Sequence, residues 1–346
     1  MNPAAPMKAV ALKEYLPIDR EDSLIDVELD RPTPRGHDLL VRVKAVSVNP
    51  VDTKVRSPKA RREEQPRVLG WDAAGIVEAV GEDVTLFQPG DEVYYAGSIT
   101  RSGSNAEFQL VDERIVGRKP KTLDWAEAAA LPLTTITAWE ALHDRLRISK
   151  NPQDNAGKSI LVIGAAGGVG SIATQLANLA GLTVIGTASR EESAAWARQH
   201  GAHQIITHHE DFADQIKRLG LDAPAYILCL NSTDKHWDNM AKALAPQGAI
   251  CSIVETQEAF DLNKLKDKSG TFVWELMFTR AMFETPDMIA QHELLNEAAK
   301  LVDEGTLVTT LTERLAPFHA ANMREAHRRL ESGSMIGKLV VEGFGE

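Results

Sequence analysis

Thiols are nearly missing from this chain. Cys229 and Cys251 are the only cysteines among 346 residues, too few for a disulfide framework or for any Cys-based zinc finger or structural zinc lobe. Such usage fits a reducing compartment, and a cytoplasmic protein is expected. Positive charge is also in deficit: 38 Lys and Arg against 49 Asp and Glu leave a net charge of −11, which disfavours nucleic acid as a partner. No apolar segment of a secretion signal follows the short Pro- and Ala-rich stretch Met1 to Pro6. Charge is absent altogether between Lys158 and Arg190, a span long enough to cross a bilayer. A glycine cluster and two β-branched runs, Ile160 to Ile163 and Thr183 to Ile185, divide that span into strand, turn, helix and strand, so no membrane segment is expected. Hydrophobic (43%) and charged (25%) shares are those of globular chains, and the length favours two domains.

Short β-branched runs separated by Pro and Gly fill residues 7–135, among them Leu39 to Val46, Gly75 to Val80, Asp91 to Tyr95 and Ala106 to Val111. Their spacing predicts an antiparallel or barrel-like β domain. A helical pattern interrupted by Pro132 covers Ala126 to Leu142, and residues 143–158 read as a polar connection. Strands near 160–163, 183–187, 204–206, 225–230 and 249–254 then alternate with helices 168–180, 191–200, 211–219 and 235–245. This alternation predicts a parallel, doubly wound sheet, with a sixth strand in Thr271 to Leu276. A helix 287–303, a strand 307–312, a helix 319–331 and a strand 337–341 complete the chain.

The strongest chemical signal is the turn Gly164, Ala165, Ala166, Gly167, Gly168, Val169, Gly170, set between an apolar strand and a helix. Glycine there lets backbone N–H groups approach a pyrophosphate, toward which the helix N-terminus directs about half a positive charge. About 20 residues beyond such a turn an acidic residue normally holds the ribose 2′-hydroxyl. Here the segment reads Gly186 to Arg190 and carries no acid. Ser189 beside Arg190 suits a 2′-phosphate instead, which predicts NADPH over NADH. The alternative is that Arg190 is a solvated residue near Glu191.

Four segments resemble the medium-chain dehydrogenase/reductase superfamily, and within it the zinc-free quinone oxidoreductase branch. They are Val48 to Thr53, Val68 to Gly75, Ala129 to Thr135 and Ala165 to Gly170, with Ile336 to Val340 as a further match. The chain is also similar to members described as zinc-type alcohol dehydrogenase-like, a description its own residues contradict. Where zinc enzymes of the superfamily place Cys and His ligands, this sequence has Asn49 and Gly70, Trp71, Asp72. A catalytic zinc needs about three protein ligands, so no metal is expected. His200, His203, His208 and His209 match no ligand spacing and are read as a helix-loop surface.

The resemblance implies a Rossmann doubly wound parallel sheet, residues 138–299, and a GroES-like β-barrel substrate domain, residues 1–137 completed by 300–346. It implies cofactor contacts at Thr137, His208, Leu230, Asn231, Ser232 and Lys338 beside the glycine turn. Asn49 and Lys54 are its candidate catalytic hydrogen-bond donors; Asn49 alternatively satisfies the turn before Pro50, and Asp52 is read as structural. Trp71, Trp274, Met277 and Phe278 are candidates for an apolar wall around a flat substrate, or else core or subunit contacts. Without a Lewis acid, conjugated acceptors are the expected substrates, and hydrogen bonds would stabilise the oxygen that gains charge. The expectation is a homodimeric NADPH-dependent reductase of quinones, with a 2-alkenal or enone reductase and a non-catalytic NADPH-binding sensor as alternatives.

Overall fold

The computed structural model describes residues 6–344. The stretch Met1 to Ala5, read above as part of a short lead, lies outside the described residues. The chain begins with β1 (Pro6–Tyr15), β2 (Ile25–Asp30), β3 (Asp38–Ser47), α1 (Pro50–Arg56), β4 (Lys59–Val68) and β5 (Ala73–Val80). Next come β6 (Glu92–Tyr95), β7 (Phe108–Asp112), β8 (Val116–Arg118), α2 (Trp125–Ala129) and α3 (Pro132–Trp139). A wide π-type turn, Glu140–Arg145, follows. The middle of the chain contains β9 (Ser159–Ile163), α4 (Gly168–Leu179), β10 (Thr183–Thr187), α5 (Glu191–Gln199), β11 (Gln204–Ile206) and α6 (Phe212–Arg218). It continues through β12 (Tyr226–Cys229), α7 (Thr233–Ala243), β13 (Ala249–Ser252) and β14 (Thr271–Trp274). The last elements are α8 (Thr279–Phe283), α9 (Ala290–Asp303), β15 (Leu311–Leu315), α10 (Ala320–Glu331) and β16 (Lys338–Glu342).

Two compact units result, one formed by the chain up to Leu133 and from Phe278 onward, the other by Thr134–Met277. In the first, β2-β1-β4 form a small antiparallel sheet. A larger sheet runs β15-β16-β3-β5-β6-β8, with β7 paired to β3. The C-terminal strand completes it, because Val340 pairs with Ser47 and the Ser47 hydroxyl donates to the Leu339 carbonyl at 2.8 Å. Helix α9 belongs to this unit, although the sequence reading expected residues up to 299 to lie with the nucleotide domain. Its amphipathic face is anchored on the β strands: Tyr94 Oη donates to Leu295 O at 2.6 Å, and Arg118 N donates to Asn296 Oδ1 at 2.9 Å.

The second unit is a six-stranded parallel sheet in the order β11-β10-β9-β12-β13-β14. This is the doubly wound order in which the chain reverses direction between β9 and β12, opening a crevice at their carboxyl ends. Leu161, Ile163, Ile185, Ile227, Phe212, Trp237 and Ile250 pack its core. Buried on both faces, such strands read as continuous β-branched runs rather than alternating ones, which is why they were visible as short apolar stretches. Strand β14 stops at Trp274, two residues short of the expected run, and the helical pattern across Pro132 is broken into α2, α3 and the π-type turn. Proline at the start of α3 costs that helix nothing, since an N–H at its first position would have no intrahelical partner.

Candidate functional site

At the carboxyl edge of the parallel sheet, β9 ends in Gly164, whose φ of +89° is a left-handed conformation that favours glycine. The turn brings Gly170, in the first turn of α4, against the strand, and a Cβ there would overlap the carbonyl oxygen of Gly164. Thr187, the last residue of β10, accepts a hydrogen bond from Gly164 N at 3.0 Å and so ties the two strand ends together. Ala165 and Ala166 are buried, while Gly167, Gly168 and Val169 are partly exposed at the mouth of α4. This arrangement fits a pyrophosphate, because small residues leave the first N–H groups of a 12-residue helix open to an anion.

The other expected cofactor residues distribute along the same unit. Ser189 and Arg190 are exposed just after β10, and the Arg190 carbonyl accepts from Ser193 Oγ at 2.8 Å to start α5. Leu230, Asn231 and Ser232 follow β12, with Ser232 held at φ +45° ahead of α7. A left-handed serine carries strain of a kind that collects at ligand-binding turns. His208 is half-buried, its ring 6.1 Å from that of His236, and burial with the neighbouring His209 holds its imidazole below the usual range. His236 is pushed down to about 4, first by burial and then by the nearby histidines and Lys235. Thr137 is buried in α3.

In the other unit Asn49 precedes α1 with its side chain fully engaged. Nδ2 donates to Asp72 Oδ2 at 2.8 Å and to Ser47 O at 3.4 Å, and Oδ1 accepts from Lys338 Nζ at 2.6 Å. The reading of Asn49 as a donor to substrate is corrected accordingly: both amide hydrogens already have acceptors, and the residue is 1% exposed. Lys338 is corrected likewise. Its Nζ is buried among Asn49 Oδ1, Val48 O at 2.7 Å and Asp72 Oδ2 at 3.2 Å, so no donor is left for a cofactor. Asp72 also accepts Leu133 N at 2.8 Å through Oδ1. Burial pushes the Asp72 carboxyl up and the Lys338 ammonium down, and their mutual attraction opposes both shifts. Asp52 accepts Asn49 N at 2.8 Å, and burial raises its carboxyl to about 7. Lys54 is exposed on α1.

Of the four candidates for an apolar wall, three are buried. Trp71 is buried, with Nε1 donating to Ser98 O at 3.1 Å and its ring edge-on to Phe278 at 6.2 Å; Phe278 and Met277 are buried as well. Trp274 instead joins an aromatic cluster on the face of β14, 4.9 Å from Phe272 and 6.3 Å from Phe260, because alternation along the strand places 272 and 274 on one side. The sequence reading missed Thr187, and it missed Glu275 after β14. Arg145 Nε donates to the buried Glu275 carboxylate at 2.7 Å, yet burial and the adjacent Glu140 hold that carboxyl well above the usual carboxylate range. A lone acid inside the apolar run Thr271 to Phe278 was its only sequence signal.

A zinc ion does not fit the position that the resemblance suggests for it. Its neighbours are an amide, a carboxylate and an ammonium, with neither thiolate nor imidazole. Among the described residues no group of three or more His, Cys, Asp or Glu could hold a metal. Both thiols are buried within the other unit, Cys229 raised to about 11 and Cys251 raised as well.

A GroES-like β unit joined to a doubly wound nucleotide-binding sheet defines a dehydrogenase or reductase. Residues 35–121 match the alcohol dehydrogenase GroES-like domain, and residues 200–341 match the zinc-binding dehydrogenase family. The chain belongs to the medium-chain dehydrogenase/reductase superfamily, in its quinone oxidoreductase-like branch, and is an oxidoreductase of that type. It is 47% identical over 335 residues to a zinc-type alcohol dehydrogenase-like protein of Staphylococcus aureus, covering 97% of this chain and 99% of that one. It is 36% identical over 234 residues to the quinone oxidoreductase of Rattus norvegicus, covering 67% and 68% of the two chains. A solved Rhizobium etli protein described as a zinc-dependent alcohol dehydrogenase superposes with a TM-score of 0.94 at 56% identity, over 99% of this chain and 100% of that one.

Proposed function

We propose that this protein is a zinc-independent, NADPH-dependent oxidoreductase that reduces quinones or other conjugated carbonyl compounds. The observation that carries the reading is the cluster of Asn49, Asp72 and Lys338, which offers no ligand set for the Lewis acid that alcohol oxidation would need. Conjugated acceptors need none, since they delocalise the charge gained onto an oxygen that hydrogen bonds can stabilise.

The cofactor supplies the hydride when bound. Gly164 to Gly170 would hold its pyrophosphate at the first turn of α4, and Leu230 to Ser232 would line the crevice beyond β12. Thr187 ends β10 where an acidic residue would select the ribose hydroxyl, which leaves Ser189 and Arg190 to meet a 2′-phosphate with charge-assisted bonds. Lys54, exposed on α1, is the remaining donor candidate for the acceptor oxygen. Pairing of two chains through β14, the edge strand of the parallel sheet, is the dimer this reading favours.

The test is oxidation of NADPH and of NADH by chelator-treated protein, with a quinone and a 2-alkenal supplied separately. Turnover with NADPH and quinone that survives chelation is the expected result, and preference for the alkenal would move the assignment to a double-bond reductase. Loss of turnover on chelation, restored by zinc, would overturn the zinc-free reading; NADPH binding with no turnover would point to a sensor.

A further inference from the structure

We propose that the Lys338 ammonium is the resident cation of a buried cluster formed with Val48, Asn49 and Asp72, and that it closes this position to a metal ion. The inference rests on the zinc-free reading above and goes beyond it by naming the group that takes the cation's place.

Hydrogen-bond bookkeeping decides the charge states. Three acceptors surround Lys338 Nζ, namely Asn49 Oδ1 at 2.6 Å, Val48 O at 2.7 Å and Asp72 Oδ2 at 3.2 Å. Only the ammonium form carries three N–H donors to satisfy them. Around Asp72 every partner is a donor: Leu133 N at 2.8 Å, Asn49 Nδ2 at 2.8 Å and the lysine. A carboxyl proton there would have no acceptor, so Asp72 is ionised. With side-chain exposures of 4% and 0%, neither charge has water to solvate it, and each is held by the other. Nor can the lysine swing away easily. Its backbone N donates to Thr310 O at 2.8 Å, and Val48 N donates to Leu339 O at 3.2 Å, so the ends of β3 and β16 fix its root.

The immediate ligands of the ammonium are all oxygens, and Asp52 adds a second buried carboxyl group whose Oδ1 has no hydrogen-bond partner. Lys338 and Asp72 are the charged side chains acting on it. Such a pocket attracts a cation, and the cation it receives is covalently part of the chain. An entering zinc would have to displace a tethered ammonium while finding none of its preferred nitrogen or sulfur donors.

Four full-length proteins test this: wild type, Lys338→Met, Asp72→Asn and the double variant, each examined by thermal melting and by equilibrium dialysis against Zn2+. Lys338→Met strands a buried carboxylate and should lower the melting temperature by on the order of 10 °C. Adding Asp72→Asn should recover much of that loss, so the two changes are strongly coupled. Wild type should take up no stoichiometric zinc and show no melting shift with it. Where Lys338→Met does not fold, return of folded protein in the double variant is the same result. Losses that simply add, a double variant no better than Lys338→Met, or one zinc per wild-type chain would overturn the inference. Because these readouts need no substrate, additive losses beside chelator-resistant turnover would refute the resident cation alone, leaving the proposed reaction intact.

Discussion

Arg56 Nε donates to His327 Nδ1 at 3.3 Å, joining α1 to α10 inside the first unit. Both residues are buried, and Arg56 also donates to the Leu16 carbonyl and pairs with Glu331. The contact requires a neutral imidazole, since a protonated ring would present a second cation to the guanidinium.

A pH dependence of stability follows. Burial, and then Arg56, push His327 down to about 3, whereas the unfolded chain protonates near 6.5. The unfolded state therefore binds the extra proton first, and stability present above pH 6.5 is lost as pH falls toward 3. Urea titrations at pH 7 and pH 5 should show wild type losing about 2 kcal/mol more than His327→Gln over that interval.

Asp52 acts with the opposite sign. Its folded carboxyl, raised to about 7, keeps a proton that the unfolded chain gives up near 3.8. Its contribution is complete below pH 3.8 and is lost as pH rises through 7, by a few kcal/mol in all. Asp52→Asn preserves an acceptor for Asn49 N without ionising. Relative to wild type, the variant's denaturation midpoint should rise between pH 4 and pH 7 and level off above that.

Arg190→Ala tests the choice of dinucleotide. Loss of a charge-assisted bond should weaken NADPH binding roughly 10- to 100-fold and leave NADH unchanged, measured by fluorescence titration of the reduced nicotinamide. Equal loss for both would make Arg190 a helix-start residue only.

Gly170→Ala tests the turn. The added methyl overlaps the Gly164 carbonyl, a backbone atom that cannot rotate aside, and about 1–3 kcal/mol of stability should be lost. NADPH affinity should fall with it. Gly157→Ala, at an open position with φ +76°, should lower stability without changing cofactor affinity, which separates backbone strain from loss of the anion site.

Local patterns carried most of the architecture. The β9-turn-α4 junction was readable because an apolar strand, closely spaced glycines and an uncharged helix are neighbours in sequence, and glycine's backbone freedom is a property of the residue itself. The missing acid after β10 was equally local. The placement of α9 was not, since its amphipathic pattern shows that it packs but not on which sheet; Tyr94 and Arg118, far upstream, decide that. For Trp274 the sequence left a substrate wall and core or subunit contacts both open, because an aromatic residue near a sheet edge looks the same whether it faces Phe272 or a substrate.

By itself the sequence determined the two-unit order, the parallel sheet, the glycine turn and the absence of thiolate or imidazole ligands around Asn49. Tertiary structure alone decided what stands there instead. Lys338 is separated by 266 residues from Asp72 and by 289 from Asn49, and from sequence it reads only as a cofactor contact implied by the resemblance. Burial changes its meaning: a charge removed from water must find every partner within the protein, and those partners are set by the pairing of β16 with β3, not by the residues beside it in the chain.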